Sequence, residues 1–223
     1  MNAVVCIASP HPSRACKAAL GLACGLGDRL SVTVLSAGHE PATQAFAACQ
    51  RAGIARAVHV CDLALADADD FIMGLVLAEA ARRLQAEVIF AGTATDDEGR
   101  GLVPAMLAQH LDANILSNVE EVDLDPAEAH PIIASRRVGG QRLRLAFKSP
   151  VVLTVAPSAL PSQNQTSTDA PPSIESLSLA QLGIGPDRLV PLPHLLGSLE
   201  SGKGKAEILP SVDALVARWL GKS

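Results

Sequence analysis

The chain has 223 residues, of which 48% are hydrophobic and 18% charged, a composition typical of a globular protein with its own core. Its net charge is −5 and no basic block occurs, which argues against a nucleic-acid surface, and an aromatic content of 2% almost excludes base stacking on side chains. No apolar run approaches a membrane span and the N-terminal residues lack a signal-peptide pattern, so we expect a cytoplasmic protein without a membrane span.

The first half of the chain alternates short apolar runs with helical patterns. Ser13 precedes the first helical pattern as an N-cap, and Pro41 opens the second at a position where proline is tolerated. Strands that alternate with helices at this spacing predict an α/β fold with a parallel sheet and right-handed crossovers. The apolar runs cover residues 3–8, 31–37, 57–61 and 88–91, and the helical patterns cover residues 13–25, 41–52, 69–84 and 102–111.

Helical patterns disappear after residue 111. Strand-like segments follow at residues 115–124, 132–138, 143–147 and 151–155, with Gly139-Gly140 as a hairpin turn between two of them. We expect some of these strands to extend the sheet antiparallel at one edge.

Four arginines, Arg136, Arg137, Arg142 and Arg144, lie on the two strands joined by this turn. Alternate residues of a strand face the same side, so these arginines form either a solvated strand face or a contact for a partner or a phosphate. The pattern alone leaves both alternatives open.

The C-terminal part of the chain contains one clear compositional break. Residues 157–178 are rich in Pro, Ser, Thr, Gln and Asn, a composition that cannot bury a core and indicates a linker. We therefore predict an α/β domain over residues 1–156, a polar linker over 157–178 and a C-terminal arm over 179–223. The arm contains a short helix over 179–182 and a terminal helix over 212–220. Leu215, Val216 and Trp219 share one stripe of the terminal helix, which either folds back or reaches a second chain.

Side chains for catalysis or metal binding form no recognisable pattern. The six histidines are scattered, no G-x-S-x-G surrounds a serine, and the five cysteines contain no C-x-x-C pair. His11 has the most informative position, since it follows the first predicted strand at the ligand-binding edge of the sheet. We expect no catalytic residue, no metal site, and buried, reduced cysteines.

The stretch 87–101, EVIFAGTATDDEGRG, is where we expect a ligand. A buried strand ends at Gly92, a polar loop with Gly99 and Gly101 follows, and a helix then begins. At the carboxyl edge of a parallel sheet, helix N–H groups can hold an anion, and glycines let the backbone approach a phosphate. The loop has neither a Walker lysine nor G-x-G-x-x-G spacing, so neither common phosphate-binding fingerprint applies.

The acidic residues of this loop support a second interpretation. Asp96, Asp97 and Glu98 could cap the helix and complement its dipole in an ordinary strand-to-helix turn. They would also repel a phosphate unless they face solvent or bind ribose hydroxyls. Arg100 is the nearby residue that could offset their charge.

The segment GTATDDEGRGLVPAMLA resembles the stretch G-R-Q-A-I-D-D-D-T-G-Q-V-G-P-M-L-A of the beta subunits of electron transfer flavoproteins, at the same length without gaps. SRRVGGQRLRLAFKSPVVLTV is similar to the strand, glycine-pair turn and P-A-V-V-T-V segment of that family. DALVARWLGKS resembles its closing helix, and SLAQLGI the segment before that helix. The order and spacing of these motifs extend the resemblance over nearly the whole chain.

The resemblance implies a Rossmann-like three-layer sandwich of the adenine nucleotide alpha hydrolase-like kind, with an extended C-terminal arm. It also implies a heterodimer whose alpha subunit holds a redox-active FAD, while the beta subunit holds a structural AMP and is not an enzyme alone. Electrons would pass from a flavin-dependent dehydrogenase to the FAD and on to a quinone oxidoreductase. Leu215, Val216 and Trp219 would then contact the alpha subunit. The AMP contacts carried over from the family are Cys6, His11, Pro12, Ala37, Gly38, Gly92, Thr93, Ala94, Thr95, Asp96, Asp97, Glu98, Gly99, Arg100 and Gly101.

This sequence departs from the family pattern in several places. Arg100 replaces a threonine, Thr93-Ala94 replaces an arginine-glutamine pair, and His11 replaces an asparagine. Residues 157–178 contain no counterpart of the segment that recognises the partner dehydrogenase, which indicates a different partner. The alternatives are a bifurcating variant with FAD in this subunit, and a stand-alone adenine-nucleotide-binding protein or hydrolase of the universal-stress or pyrophosphatase type.

Overall fold

The fold was analysed in a computed structural model that describes residues 1–7, 13–41, 46–47, 49–50, 52–93, 101–125, 127–159, 172–190 and 211. The chain divides into two compact units, Met1–Leu192 and Pro193–Ser223. The helices and strands of the described residues all lie in the first unit. Of the second unit only Ser211 is described, so the predicted terminal helix with Leu215, Val216 and Trp219 lies outside the described residues.

Among the described residues, ten strands and three continuous α-helices follow one another along the first unit. The helices are α1 (Arg14–Gly25), α2 (Asp70–Arg83) and α3 (Val103–Leu111), and Phe46, Ala47, Cys49 and Gln50 are also helical. The strands are β1 (Asn2–Cys6), β2 (Ser31–Gly38), β3 (Arg56–Cys61), β4 (Val88–Gly92), β5 (Asn114–Val119), β6 (Glu121–Leu124), β7 (Ile132–Val138), β8 (Gln141–Phe147), β9 (Val151–Val155) and β10 (Ser173–Leu177).

Seven strands form a parallel sheet in the order β10-β3-β2-β1-β4-β9-β5. Its central strands are buried on both faces, as a parallel sheet between helical layers requires. Val5 of β1 belongs to the apolar cluster shared with α1, whereas its neighbour Val4 belongs to the cluster shared with α2 and α3. The predicted fold class, a three-layer α/β sandwich with a mostly parallel sheet, is confirmed.

Two helices begin at side-chain caps, one at the predicted position Ser13 and the other at Asp69. The Ser13 hydroxyl accepts a hydrogen bond from the Cys16 amide at 3.1 Å, and an Asp69 carboxylate oxygen accepts one from the Ile72 amide at 2.8 Å. Such caps satisfy amide groups that have no partner within the helix. None of the helices among the described residues combines the length and the apolarity needed to cross a bilayer.

The antiparallel strands form a sheet of their own, in the order β6-β7-β8, and not an edge of the main sheet. The single strand expected over residues 115–124 is therefore two strands, β5 in the main sheet and β6 in the small one. Asn118 has a positive φ of 57°, and the pairing of β5 with β9 shifts register between Leu116 and Val119. This local bend directs the chain out of the main sheet, and the apolar pattern does not reveal it.

The predicted linker also differs from the structure at its C-terminal end. Residues Ser173–Leu177 form β10, which pairs with β3 at the edge of the main sheet. Within β10 only Leu177 is buried, so backbone pairing supplies most of its order and the polar composition hides the strand. Leu179 and Ile184 are buried in the core beyond it. Residues 160–171 lie outside the described residues, and there the linker stays a prediction.

The contact between α2 and α3 depends on Gly74. A Cβ atom at this position would collide with the Cβ of Met106 and would lie 2.9 Å from the backbone N of Leu107. We expect Gly74→Ala to destabilise the protein by about 1–2 kcal/mol, because overpacking of up to about 3 kcal/mol exceeds the helix-propensity gain of about 1 kcal/mol. Urea unfolding measures the change. Gly38→Ala, whose added Cβ meets nothing within 4 Å, is the control, and equal stability of the two variants would contradict the packing argument.

Candidate functional site

The carboxyl ends of β2, β1 and β4 are adjacent at one edge of the sheet. Helix α1, which follows β1, packs on one face of the sheet, and its Ala19 and Ala23 belong to the apolar core on that face. The helix that follows β4 packs on the other, with Leu107 and Ala108 in its core. The strand order reverses between β1 and β4, and such sheets bind ligands beyond the strand ends at this point, which we call the crevice.

The first turn of α1 lies directly against the end of β4. A Cβ atom on Gly92 would lie 3.0 Å from the amide nitrogen of Cys16 and 3.1 Å from the Cβ of Ala15. The first turn of this helix contains no acidic residue, so its positive end is not compensated by a side chain of its own. Gly92 therefore lets the first turn of α1 pack directly on the strand end, so the positive end of the helix lies at the carboxyl edge of the sheet.

The loop between β4 and α3 is closed at its base. A Cβ atom on Gly101 would collide with the backbone oxygen of Thr93, so the two ends of the loop touch where they leave the strand and approach the helix. The structure thus places six of the expected nucleotide contacts, Cys6, Ala37, Gly38, Gly92, Thr93 and Gly101, at the edge formed by these strand ends. The others, His11, Pro12, Ala94, Thr95, Asp96, Asp97, Glu98, Gly99 and Arg100, lie outside the described residues.

A buried polar pair stands beside this edge, between β2 and β3. Ser36 and His59 are register partners, and the Ser36 Oγ lies 2.9 Å from Nδ1 of His59. The other ring nitrogen, Nε2, lies 2.9 Å from the backbone oxygen of Glu40. The sequence reasoning missed this pair, although polar residues inside two otherwise apolar strands were its signal.

Cys6 closes the end of β1 with a buried thiol. Burial, with a smaller contribution from neighbouring Cys16, raises the pKa of Cys6 to about 12. The thiol is therefore protonated at neutral pH, which makes it a weak nucleophile. The described residues contain no cluster of His, Cys, Asp and Glu side chains that could hold a metal ion.

A second cleft, of about 590 Å³, lies between the end of α1 and the small sheet. Its charges are paired. Arg137 is 3.2 Å from Glu120, and Arg142 makes two hydrogen bonds of 3.0 Å to the Glu121 carboxylate. These pairs match the interpretation of the arginines as a solvated strand face, and they make the cleft a poorer anion site than the edge of the main sheet.

A model of the electron transfer flavoprotein domain matches residues 8–182 of the chain. The chain belongs to the electron transfer flavoprotein beta-subunit family. The match begins just after β1 and ends beyond β10, so it covers the other described strands of both sheets and the helices α1, α2 and α3.

Curated relatives carry the name electron transfer flavoprotein subunit beta. The one from Mycobacterium tuberculosis (strain H37Rv) is 29% identical over 164 residues, covering 71% of this chain and 60% of the relative. The one from Methylophilus methylotrophus is 25% identical over 162 residues, covering 70% of this chain and 60% of the relative. The chain therefore spans about 60% of the length of these family members.

The buried thiols at the core of the fold predict an alkaline loss of stability. Burial also raises the pKa of Cys49 to about 12. A pKa raised in the folded state stabilises the protein fully below the unfolded value of about 8.5, and this contribution is lost as the pH rises towards the folded value. We expect the free energy of unfolding of the wild type to fall above about pH 8.5. Cys6→Ala should reduce the dependence of the free energy of unfolding on pH in this range. The double variant Cys6→Ala/Cys49→Ala should reduce it further. Urea unfolding across this pH range measures the free energy of unfolding. An identical pH dependence in the wild type and both variants would show that the buried thiols do not cause the loss of stability.

Proposed function

We propose that this chain is the beta subunit of a heterodimeric electron transfer flavoprotein. In this proposal it holds AMP as a structural element, and the alpha subunit holds the FAD. The FAD carries electrons from a flavin-dependent dehydrogenase to a quinone oxidoreductase. The chain itself acts as a binding and scaffolding subunit of a cytoplasmic complex, not as an enzyme.

The observation that carries the AMP proposal is the construction of the crevice. The start of α1 reaches the end of β4 through Gly92, and the following loop is closed at Gly101. The described glycines of this cradle, Gly92 and Gly101, add no side-chain bulk, which suits a phosphate held by amides. The same geometry fits the adenylate part of FAD, so a bifurcating variant with FAD in this subunit is the alternative within the family.

The decisive experiment is to purify the chain with its flavin-bearing partner, denature the complex and identify the released nucleotides by mass spectrometry. AMP and FAD in equal amounts support the proposal. Two FAD and no AMP favour the bifurcating variant. A colourless chain without a second subunit that turns over ATP would favour a stand-alone nucleotide-binding protein or hydrolase.

Closure of the loop at Gly101 leads to a specific prediction. We expect Gly101→Ala to weaken AMP binding by at least about tenfold, because the added Cβ would separate the loop ends at Thr93. Calorimetric titration of nucleotide-free complex measures the dissociation constant. Leu102→Ala, a change in the adjacent exposed side chain, is the control and should bind AMP like the wild type. Unchanged binding by Gly101→Ala would show that the loop does not contact the nucleotide.

The proposed partner contact through Leu215, Val216 and Trp219 is tested at the tryptophan. Large aromatic residues are frequent hot spots of interfaces, so Trp219→Ala should cost about 2 kcal/mol of binding to the alpha subunit. Leu63→Ala removes an apolar side chain that is 83% exposed in the first unit, and it is the matched control. Co-purification and the dissociation constant of the two subunits are the measurements. If both variants bind the alpha subunit with equal affinity, the terminal helix is not part of the interface.

A further inference from the structure

The turn after β2, residues 38–40, is attached to β3 through three successive backbone oxygens. The oxygen of Gly38 accepts a hydrogen bond from the amide of Asp62 at 3.3 Å. The oxygen of His39 lies 3.8 Å from Sγ of Cys61, and the oxygen of Glu40 lies 2.9 Å from Nε2 of His59. The first of these oxygens therefore contacts an amide just after β3, and the other two contact side chains of β3.

This arrangement fixes the direction of the amide groups. In a planar trans peptide the N–H points opposite to the preceding carbonyl. Because the Gly38 carbonyl accepts the amide that follows β3, the N–H of His39 points to the opposite side, where β1 lies, and the N–H of Glu40 points away from the Cys61 side chain. Pro41 follows and has no N–H, so the donor pair ends there. Both donor residues are exposed, which leaves the turn accessible to a ligand.

His59 makes the strongest of the three attachments. A thiol is a weak hydrogen-bond donor, and the bond from the Asp62 amide is long. The oxygen of Glu40 can only accept, so Nε2 of His59 carries the proton, and Nδ1 of the neutral ring accepts the Ser36 hydroxyl proton. The ring is 4% exposed and meets the edge of Phe46 at a centroid distance of 6.0 Å. Desolvation by burial lowers the pKa of His59, which keeps this neutral tautomer.

The position of the turn relative to the crevice decides what the donor pair can contact. The helix start that suits a phosphate lies between β1 and β4, and β2 is the next strand along the sheet. In the proposed binding mode, the phosphate lies at the start of α1 and the base lies over the end of β2. The ring nitrogens of adenine accept hydrogen bonds from backbone N–H groups, and this chain has few aromatic residues to stack on a base.

We infer that His59, oriented by Ser36, is a positioning residue that anchors the turn at the Glu40 oxygen and thereby places the amides of His39 and Glu40 as a hydrogen-bond donor pair for the adenine ring. This inference rests on the proposed function, because it takes an adenine nucleotide as the ligand of the crevice. In this inference the buried His59 side chain does not contact the nucleotide. It contacts the backbone of the turn, and the turn contacts the adenine ring.

Two substitutions of His59 separate its two contacts. The amide nitrogen of glutamine can occupy the position of Nε2, so His59→Gln retains a donor for the Glu40 oxygen and loses the contact with Ser36. The side chain of asparagine reaches only the position of Nδ1. His59→Asn therefore retains the contact with Ser36 and loses the hydrogen bond to the backbone oxygen of Glu40. The complex of each variant with its partner subunit is freed of nucleotide and titrated with AMP, and unfolding by urea gives its stability.

We expect His59→Gln to bind AMP within about threefold of the wild type and His59→Asn to bind it about tenfold more weakly, at similar stability. Binding of ribose 5-phosphate, which lacks the base, should be equal in all variants. Thr33→Val, a near-isosteric change of another buried polar residue on β2, is the control and should bind AMP like the wild type.

The outcomes separate the inference from the proposed function. If the wild type binds AMP but both His59 variants bind it equally well, or lose affinity for AMP and ribose 5-phosphate alike, the positioning role is wrong and the proposed function stands. If the wild-type complex binds no adenine nucleotide, the proposed function itself fails. A loss confined to His59→Asn and to AMP supports the inference.

Discussion

The parallel pairing of β1 with β2 on one side and β4 on the other is the constraint on which the rest of the structure depends. Val5 of β1 is the register partner of both Val34 and Phe90, and all three are fully buried. Strands that run in the same direction end at the same edge, and their crossover helices must cover opposite faces here. The crevice is therefore a consequence of strand order and needs no special loop. Gly92 then determines how closely α1 packs on the end of β4, and Gly101 determines how closely the two ends of the β4–α3 loop approach each other.

The alternation of strands and helices could be read from the sequence because it depends on local apolar periodicity. The runs around Val88 and Val151 are continuous and apolar, as strands buried on both faces require. The elements that the sequence did not reveal depend on non-local pairing. β10 buries only Leu177, and its order comes from hydrogen bonds to β3, a strand more than a hundred residues earlier. The separation of the small sheet depends on one positive φ at Asn118, which leaves no apolar signal.

The candidate site shows the same division between local and non-local signals. Gly92 and Gly101 could be identified because a strand, a glycine-containing loop and a helix start are contiguous in the chain. Ser36 and His59 are separated by a helical segment, and their contact exists only because β2 and β3 pair in one particular register. A shift of one residue would turn the histidine to the opposite face. Polar residues within a doubly buried strand have to find hydrogen-bond partners, and this requirement was the available signal.

Two titratable side chains described at or beside the crevice, Cys6 and His59, are poorly suited to act as a nucleophile or a base. Cys6 offers a protonated thiol, since its pKa lies near 12 and a thiolate forms only far above neutral pH. His59 has both ring nitrogens engaged, one with Ser36 and one with the Glu40 oxygen, so neither is available to move a proton on a ligand. Of the other described residues at this edge, Ala37, Gly38, Gly92 and Gly101 contribute backbone groups and little side-chain bulk. Such groups give affinity and orientation at fixed geometry, which is what a structural adenylate in a subunit beside a flavin-bearing partner would need.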